Sequence, residues 1–130
     1  MRAQTLHLIR ATACLAFAVT LTAQEGHPLT GTWSGERTLP SGERERVVLV
    51  MTWDGKAIAG TINPGPEAIP LGRVTVDYDA WTVRIEAKAP KPAQEILIEG
   101  QLADLGSWHR TFGGRWVQGS AEGTFTLRRD

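Results

Sequence analysis

The sequence predicts an all-β protein, a single eight-stranded antiparallel up-and-down barrel preceded by a cleaved signal peptide. Three observations predict it. From residue 30 onward, apolar side chains recur at alternate positions in short runs separated by Gly, Pro, Asn and Asp, which is the period of pleated strands joined by tight turns. No stretch beyond the leader sustains a helical period. The Gly31-Thr32-Trp33-Ser34-Gly35 run is also echoed late in the chain by Gly113-Gly114-Arg115-Trp116 and Gly123-Thr124-Phe125. Glycine lets two backbones approach closely and alternate aromatics face one way, so the two ends are suited to closing one sheet on itself.

Residues 1–23 are read as the signal peptide. Arg2, His7 and Arg10 precede a run from Ala11 to Ala23 that carries no charge and is too short to span a bilayer. Cys14 lies inside this run, and Ala11-Thr12-Ala13-Cys14 lacks the leucine of a lipoprotein signal. Its loss would leave no cysteine for a disulfide, thiol catalysis or zinc binding. Residues 24–29 form a short lead-in and 30–130 the barrel domain, with export to the periplasm or beyond the cell expected. The formal net charge is +0, and removal of Arg2 and Arg10 makes it slightly acidic. With no basic stripe, neither a nucleic-acid partner nor an anionic membrane surface is expected, and no membrane span remains after cleavage.

The strands follow in order. The first runs from Thr30 to Leu39, with Gly31, Trp33 and Gly35 on one face. After the Pro40-Ser41-Gly42 turn, the second spans Glu43 to Trp53, with Val47, Leu49, Met51 and Trp53 sharing a face. Asp54-Gly55 is the strongest hairpin signal, suited to a type I′ turn. Lys56 to Asn63 gives a third strand with Ile58, Gly60 and Ile62 inward, and Ala68 to Tyr78 a fourth with Val74, Val76 and Tyr78 inward. In the fifth, Trp81, Val83, Ile85 and Ala87 alternate with Thr82, Arg84, Glu86 and Lys88, the pattern of a sheet with one wet face. Pro90-Lys91-Pro92 reads as a loop. A sixth strand covers Glu95 to Leu102, a seventh Trp108 to Gln118 and an eighth Gly123 to Arg129.

An open meander of this kind would leave two exposed edges and an apolar face that no helix covers. Rolling it into a barrel removes both, and the in-strand glycines Gly60, Gly72, Gly100, Gly113 and Gly114 suit the coiling required. A two-sheet sandwich would use the same alternation and is the structural rival.

Gly31-x-Trp33, Gly60-Thr61, Trp81-Thr82-Val83 and Thr111-Phe112-Gly113-Gly114-Arg115-Trp116-Val117 together resemble the strand succession of the calycins, the lipocalin and avidin group of barrels. The resemblance spreads over most of the mature chain, and each motif is short. It implies the fold more than a ligand. Where avidins hold the polar residues that bind biotin, this chain has Gly35-Glu36 and Ile62, so biotin binding is not carried over. The resemblance to lipocalins also implies a late-strand arginine packed across the first tryptophan, and Arg129 has the inward parity for it.

Five tryptophans are the compositional oddity. They favour either a stacking pocket for a small apolar or aromatic ligand, or a filled core in place of the one helices would supply. The candidate ligand-binding residues are Trp33, Trp53, Trp81, Arg110, Phe112 and Trp116. Trp108 is placed at the rim. Arg110 has inward parity and needs an acidic partner, Glu99, Glu36 or Asp104, unless it meets an acidic ligand. Asp77 and Asp79 are too few for calcium. Ser107 with His109, and Glu36 with Glu99, are thin candidates for catalysis. No phosphate loop, nucleophile elbow or histidine metal cluster is present. No catalytic residue, metal or cofactor is therefore expected. Two readings lead: a non-enzymatic exported barrel with a ligand in a Trp-lined mouth, or a filled barrel that meets a protein partner; a hydrolase or isomerase on such a barrel is a remote third.

Overall fold

The computed structural model describes residues 26–130. The expected signal peptide at 1–23, with Cys14 in it, and the start of the lead-in lie outside the described residues. Alternating sequence becomes eight strands: β1 Gly31–Thr38, β2 Arg44–Trp53, β3 Ile58–Ile62, β4 Ile69–Asp77, β5 Thr82–Pro90, β6 Ala93–Ala103, β7 Thr111–Gln118 and β8 Ala121–Arg129. Each pairs antiparallel with the next, and β8 returns to β1, with Trp33 opposite Arg129 and Arg37 opposite Phe125. This last ladder decides for a barrel over a sandwich, because no edge is left unpaired.

Alternation puts every second side chain inside. Val47, Leu49 and Met51 of β2, Val83, Ile85, Ala87 and Ala89 of β5, and Ile96, Ile98 and Leu102 of β6 are all buried, around Trp33, Phe112, Trp116, Phe125 and Leu127. The closing seam depends on absent side chains. A Cβ on Gly35 would collide with the carbonyl oxygen of Thr126 on β8, and one on Gly123 with the carbonyl oxygen of Thr38 on β1.

The up-and-down course gives the barrel two unlike ends. At one, residues 26–30 fold across the opening together with the loops 54–57, 78–81 and 104–110. Leu29 is fully buried there, and its carbonyl oxygen accepts a hydrogen bond from Trp33 Nε1 at 2.9 Å. The stretch that reads as a passive lead-in is therefore the plug of the closed end. The other end is bounded by the connections 39–43, 63–68, 91–92 and 119–120.

Several expected boundaries move, each for a local reason. Pro90 pairs with Ala93, so the loop between β5 and β6 shrinks to Lys91-Pro92. The Asp54-Gly55 turn has positive φ at Gly55 alone (98°), so it is not type I′. Asp54 instead accepts the backbone N–H groups of Lys56 and Ala57, both at 2.8 Å, and these bonds hold its carboxyl below the usual aspartate range. Asp77 caps its own turn in the same way, accepting from Asp79 and Ala80 at 2.9 and 3.2 Å. Among the described residues no cluster of His, Cys, Asp and Glu is placed to hold a metal ion.

Candidate functional site

The open end holds a cavity of about 320 Å³. Its walls follow from the strand period carried to the strand ends. Val47 and Ile62 reach it from β2 and β3, Ile69 and Ala89 from β4 and β5, and the indole of Trp116 from β7. These surfaces are apolar and give the pocket a dry wall.

Polar groups sit above them. Arg37 has the parity of Trp33 and Gly35, and Glu45 that of Val47, so both turn inward where their strands reach the mouth; they are also direct partners across β1 and β2. Arg37 Nε donates to Glu45 Oε2 at 2.7 Å, and its guanidinium carbon lies 5.2 Å from the Trp116 ring centre. The Arg37 side chain is only 14 % exposed, against 50 % for Glu45, so the arginine is the member set within the site. A guanidinium carries five N–H donors. Among the described residues, Arg37 Nη1 and Nη2 make no hydrogen bond, and neither is a sealed, unpartnered atom.

Asn63 and Gln118 complete the polar rim. The Val48 N–H donates to Asn63 Oδ1 at 2.9 Å, which fixes the amide orientation and leaves Nδ2 as a free donor at the mouth. Gln118 Oε1 accepts from Trp116 Nε1 at 3.2 Å and Gln118 Nε2 donates to Gln94 at 3.3 Å, so the indole is pinned. Lys91 and Glu67 add one charge of each sign at the entrance. The arrangement can stack and desolvate an apolar body while donating hydrogen bonds to an acceptor at its end.

No protein-family profile matches the chain, and no curated protein sequence matches it. Its backbone is similar to a solved structure of a redesigned β-barrel, with a TM-score of 0.58 over 79% of this chain and 92% of that one. At 16% identity the likeness concerns the fold alone. It agrees with a small closed β-barrel.

Of the six candidate binding residues, Trp116 lines this cavity. Trp33 and Phe112 are buried toward the closed end and meet edge to face at 6.3 Å, where they fill the interior. Trp53 is the last residue of β2, 38% exposed, and its ring lies 4.8 Å from that of His27. Trp81 precedes β5 in a left-handed conformation (φ 56°), is partly buried against the core at the closed end, and its ring meets Tyr78 at 5.8 Å. Tyr78, expected inward, is past its strand and exposed. β7 begins at Thr111, which leaves Trp108 and Arg110 in the preceding loop. The structure thus separates the six into a wall, a core and a closed-end group.

Arg110 does not find the acid expected of it. Its Nε donates to the carbonyl oxygens of Leu105 and Ser107 at 3.2 Å each, and its Nη1 to that of Pro28 at 3.1 Å. Ser107 Oγ accepts the His109 N–H, and His109 Nδ1 bonds the carbonyl oxygen of Arg129 at 3.0 Å, so these side chains face backbone and not each other. Glu36 pairs with Arg44 across β1 and β2, whereas Glu99 pairs with Arg84 and Arg115 on the outer face of β5 to β7, so this acid pair is not assembled. The residues missed were Arg37, Glu45, Asn63 and Gln118. The parity that marks Trp33, Val47 and Trp116 also marks Arg37 two repeats on, Glu45 one repeat back and Gln118 one repeat on.

Proposed function

We propose that the protein is an exported, lipocalin-like binding barrel. It takes a small molecule with an apolar body and an acidic or carbonyl end into its open mouth. One observation carries the reading: the free Nη edge of Arg37 beside the Trp116 ring, over an aliphatic wall. The volume falls at the small end of the range for ligand pockets, which suits a compact ligand. The body would rest on Val47, Ile62, Ala89 and Trp116, and the polar end would accept from Arg37 Nη and Asn63 Nδ2. The Trp33 and Arg129 contact that a lipocalin resemblance implies is in keeping with this reading. A non-enzymatic role follows, since the site supplies binding groups and no assembled nucleophile and base.

The test is a titration of the purified protein with 1-anilinonaphthalene-8-sulfonate, an apolar fluorophore with an acidic group, alongside Ala89→Phe, which fills the cavity from β5. Saturable one-to-one binding that Ala89→Phe abolishes is expected. Absence of binding, or equal binding by that variant, would overturn the reading. A second reading, docking of a protein partner, is favoured by the exposed aromatics Trp53, Tyr78 and Trp108 at the closed end. A partner that protects these three from surface labelling while Ala89→Phe binds it unchanged would support that alternative.

A further inference from the structure

The closed end holds a second concavity, bordered by Pro28, Thr30, Trp108, Arg110 and Arg129. Two guanidinium groups converge in it. Arg110 Nη1 and Arg129 Nη1 donate to the same carbonyl oxygen, that of Pro28, at 3.1 and 2.9 Å. Arg129 also donates from Nε to Trp108 and from Nη1 to Thr30, in each case to backbone oxygen. These bonds satisfy geometry and leave charge uncompensated. No ion pair among the described residues involves either arginine. Burial and the neighbouring Arg110 both weaken the hold of Arg129 on its proton, in that order.

Each guanidinium keeps one group unused. The Nη2 of Arg110 and that of Arg129 make no hydrogen bond among the described residues, and neither is a buried, unpartnered atom. Thr30 Oγ1, on the same wall, is buried and has no hydrogen-bond partner among the described residues. Trp108 lies with its ring 3.9 Å from the Arg129 guanidinium carbon and covers one face of it. Two like charges with free donors, and no counter-charge among the described residues, are a place where an anion relieves repulsion and completes hydrogen bonding at once.

We propose that this concavity binds a small oxyanion, a carboxylate, sulfate or phosphate group whose oxygens accept from Nη2 of both Arg110 and Arg129. Such a ligand would tie together the lead-in, the β6–β7 loop and the end of β8, and so brace the closed end. The proposal is independent of the cavity at the opposite mouth.

The experiment is a sulfate titration at constant ionic strength, repeated with acetate, read by melting temperature and by Trp108 emission. A saturable rise in melting temperature is expected with both anions, and Trp108→Phe should remove the emission change while keeping the thermal one. Arg110→Gln should weaken binding by about tenfold or more, as expected for loss of a hydrogen bond to a charged group. Arg110→Lys keeps the charge without the planar fork and should fall between, whereas Arg73→Gln, on the outer wall, should match the parent. A non-saturating rise, as a general salt effect produces, or an equal response in Arg110→Gln, would overturn the proposal.

Discussion

Arg129 is the register partner of Trp33 across the seam that closes the barrel, and its guanidinium carbon lies 5.7 Å from the centre of the Trp33 indole. Trp108 covers the same guanidinium at 3.9 Å. A cation in contact with two indoles, with its Nε and Nη1 engaged by backbone oxygens, joins the first strand, the last strand and the plug. Closure of the barrel and closure of its lower end are thus one structural event.

Arg129→Gln is therefore expected to lower stability by about 2–4 kcal/mol, from several charged hydrogen bonds to carbonyl oxygen and the loss of stacking on the indoles. Trp33→Ala should cost about 3–5 kcal/mol through the cavity it leaves. The two changes should be less than additive in urea denaturation, because each removes the partner of the other.

The seam makes a second demand, on Gly35. Gly35→Ala drives a methyl group into the carbonyl oxygen of Thr126 on β8, which is backbone and cannot swing aside. A loss of about 3 kcal/mol or more is expected, at or beyond the upper end for overpacking. Gly42→Ala is the control. Gly42 has positive φ (88°) with open space around it, so only the conformational cost of about 1–2 kcal/mol applies. Equal losses at the two sites would show that close approach across β1 and β8 is not what selects Gly35.

Closed-end stability should depend on pH through His27. The Leu29 N–H donates to His27 Nδ1 at 3.2 Å, so the neutral ring carries its proton on Nε2 and donates it to Tyr78 Oη at 2.6 Å. Burial pushes the His27 pKa below 6.5. As pH falls through 6.5, the unfolded chain takes up a proton before the folded one does. The contribution is accordingly whole above 6.5, declines below it, and levels off under the folded pKa. Denaturation midpoints measured from pH 8 to 5 should fall in that window, and His27→Gln should remove this component of the slope. An unchanged slope would place the titration elsewhere.

The strands were legible because each alternates cleanly and because turn residues punctuate them. Val83, Ile85 and Ala87 against Thr82, Arg84 and Glu86 leave little choice of face. Parity failed where a strand was assumed to run on. Tyr78 lies past the end of β4 and is exposed, Arg110 belongs to a loop, and Trp53 ends β2 with its side chain partly exposed. The emphasis on aromatic side chains also hid the mouth. Arg37 obeys the rule that found Trp33, but a charged residue at an inward position reads as an exception until a cavity is seen to receive it. The two-ended character of the barrel was not legible at all, since it depends on residues 26–30 folding across one opening, and nothing local in that stretch dictates where it lands.

The Arg37 and Glu45 pair offers the sharpest separation of charge from shape at the open end. Arg37→Gln removes the free Nη edge but leaves the apolar wall of Ile62, Ala89 and Trp116 in place. Its affinity for an acidic probe should drop about tenfold, the loss expected for one charge-assisted contact, while a neutral probe such as N-phenyl-1-naphthylamine binds as before. Glu45→Gln should act in the opposite direction. With the carboxylate gone, Arg37 keeps a hydrogen-bond partner but loses its counter-charge, so an acidic ligand no longer competes with Glu45 and binds more tightly. Both variants must be compared at low and high salt, because a half-exposed glutamate is screened more than an arginine set within the site. If the two substitutions move acidic and neutral probes alike, the mouth selects by volume alone and Arg37 serves only to hold Trp116 in place.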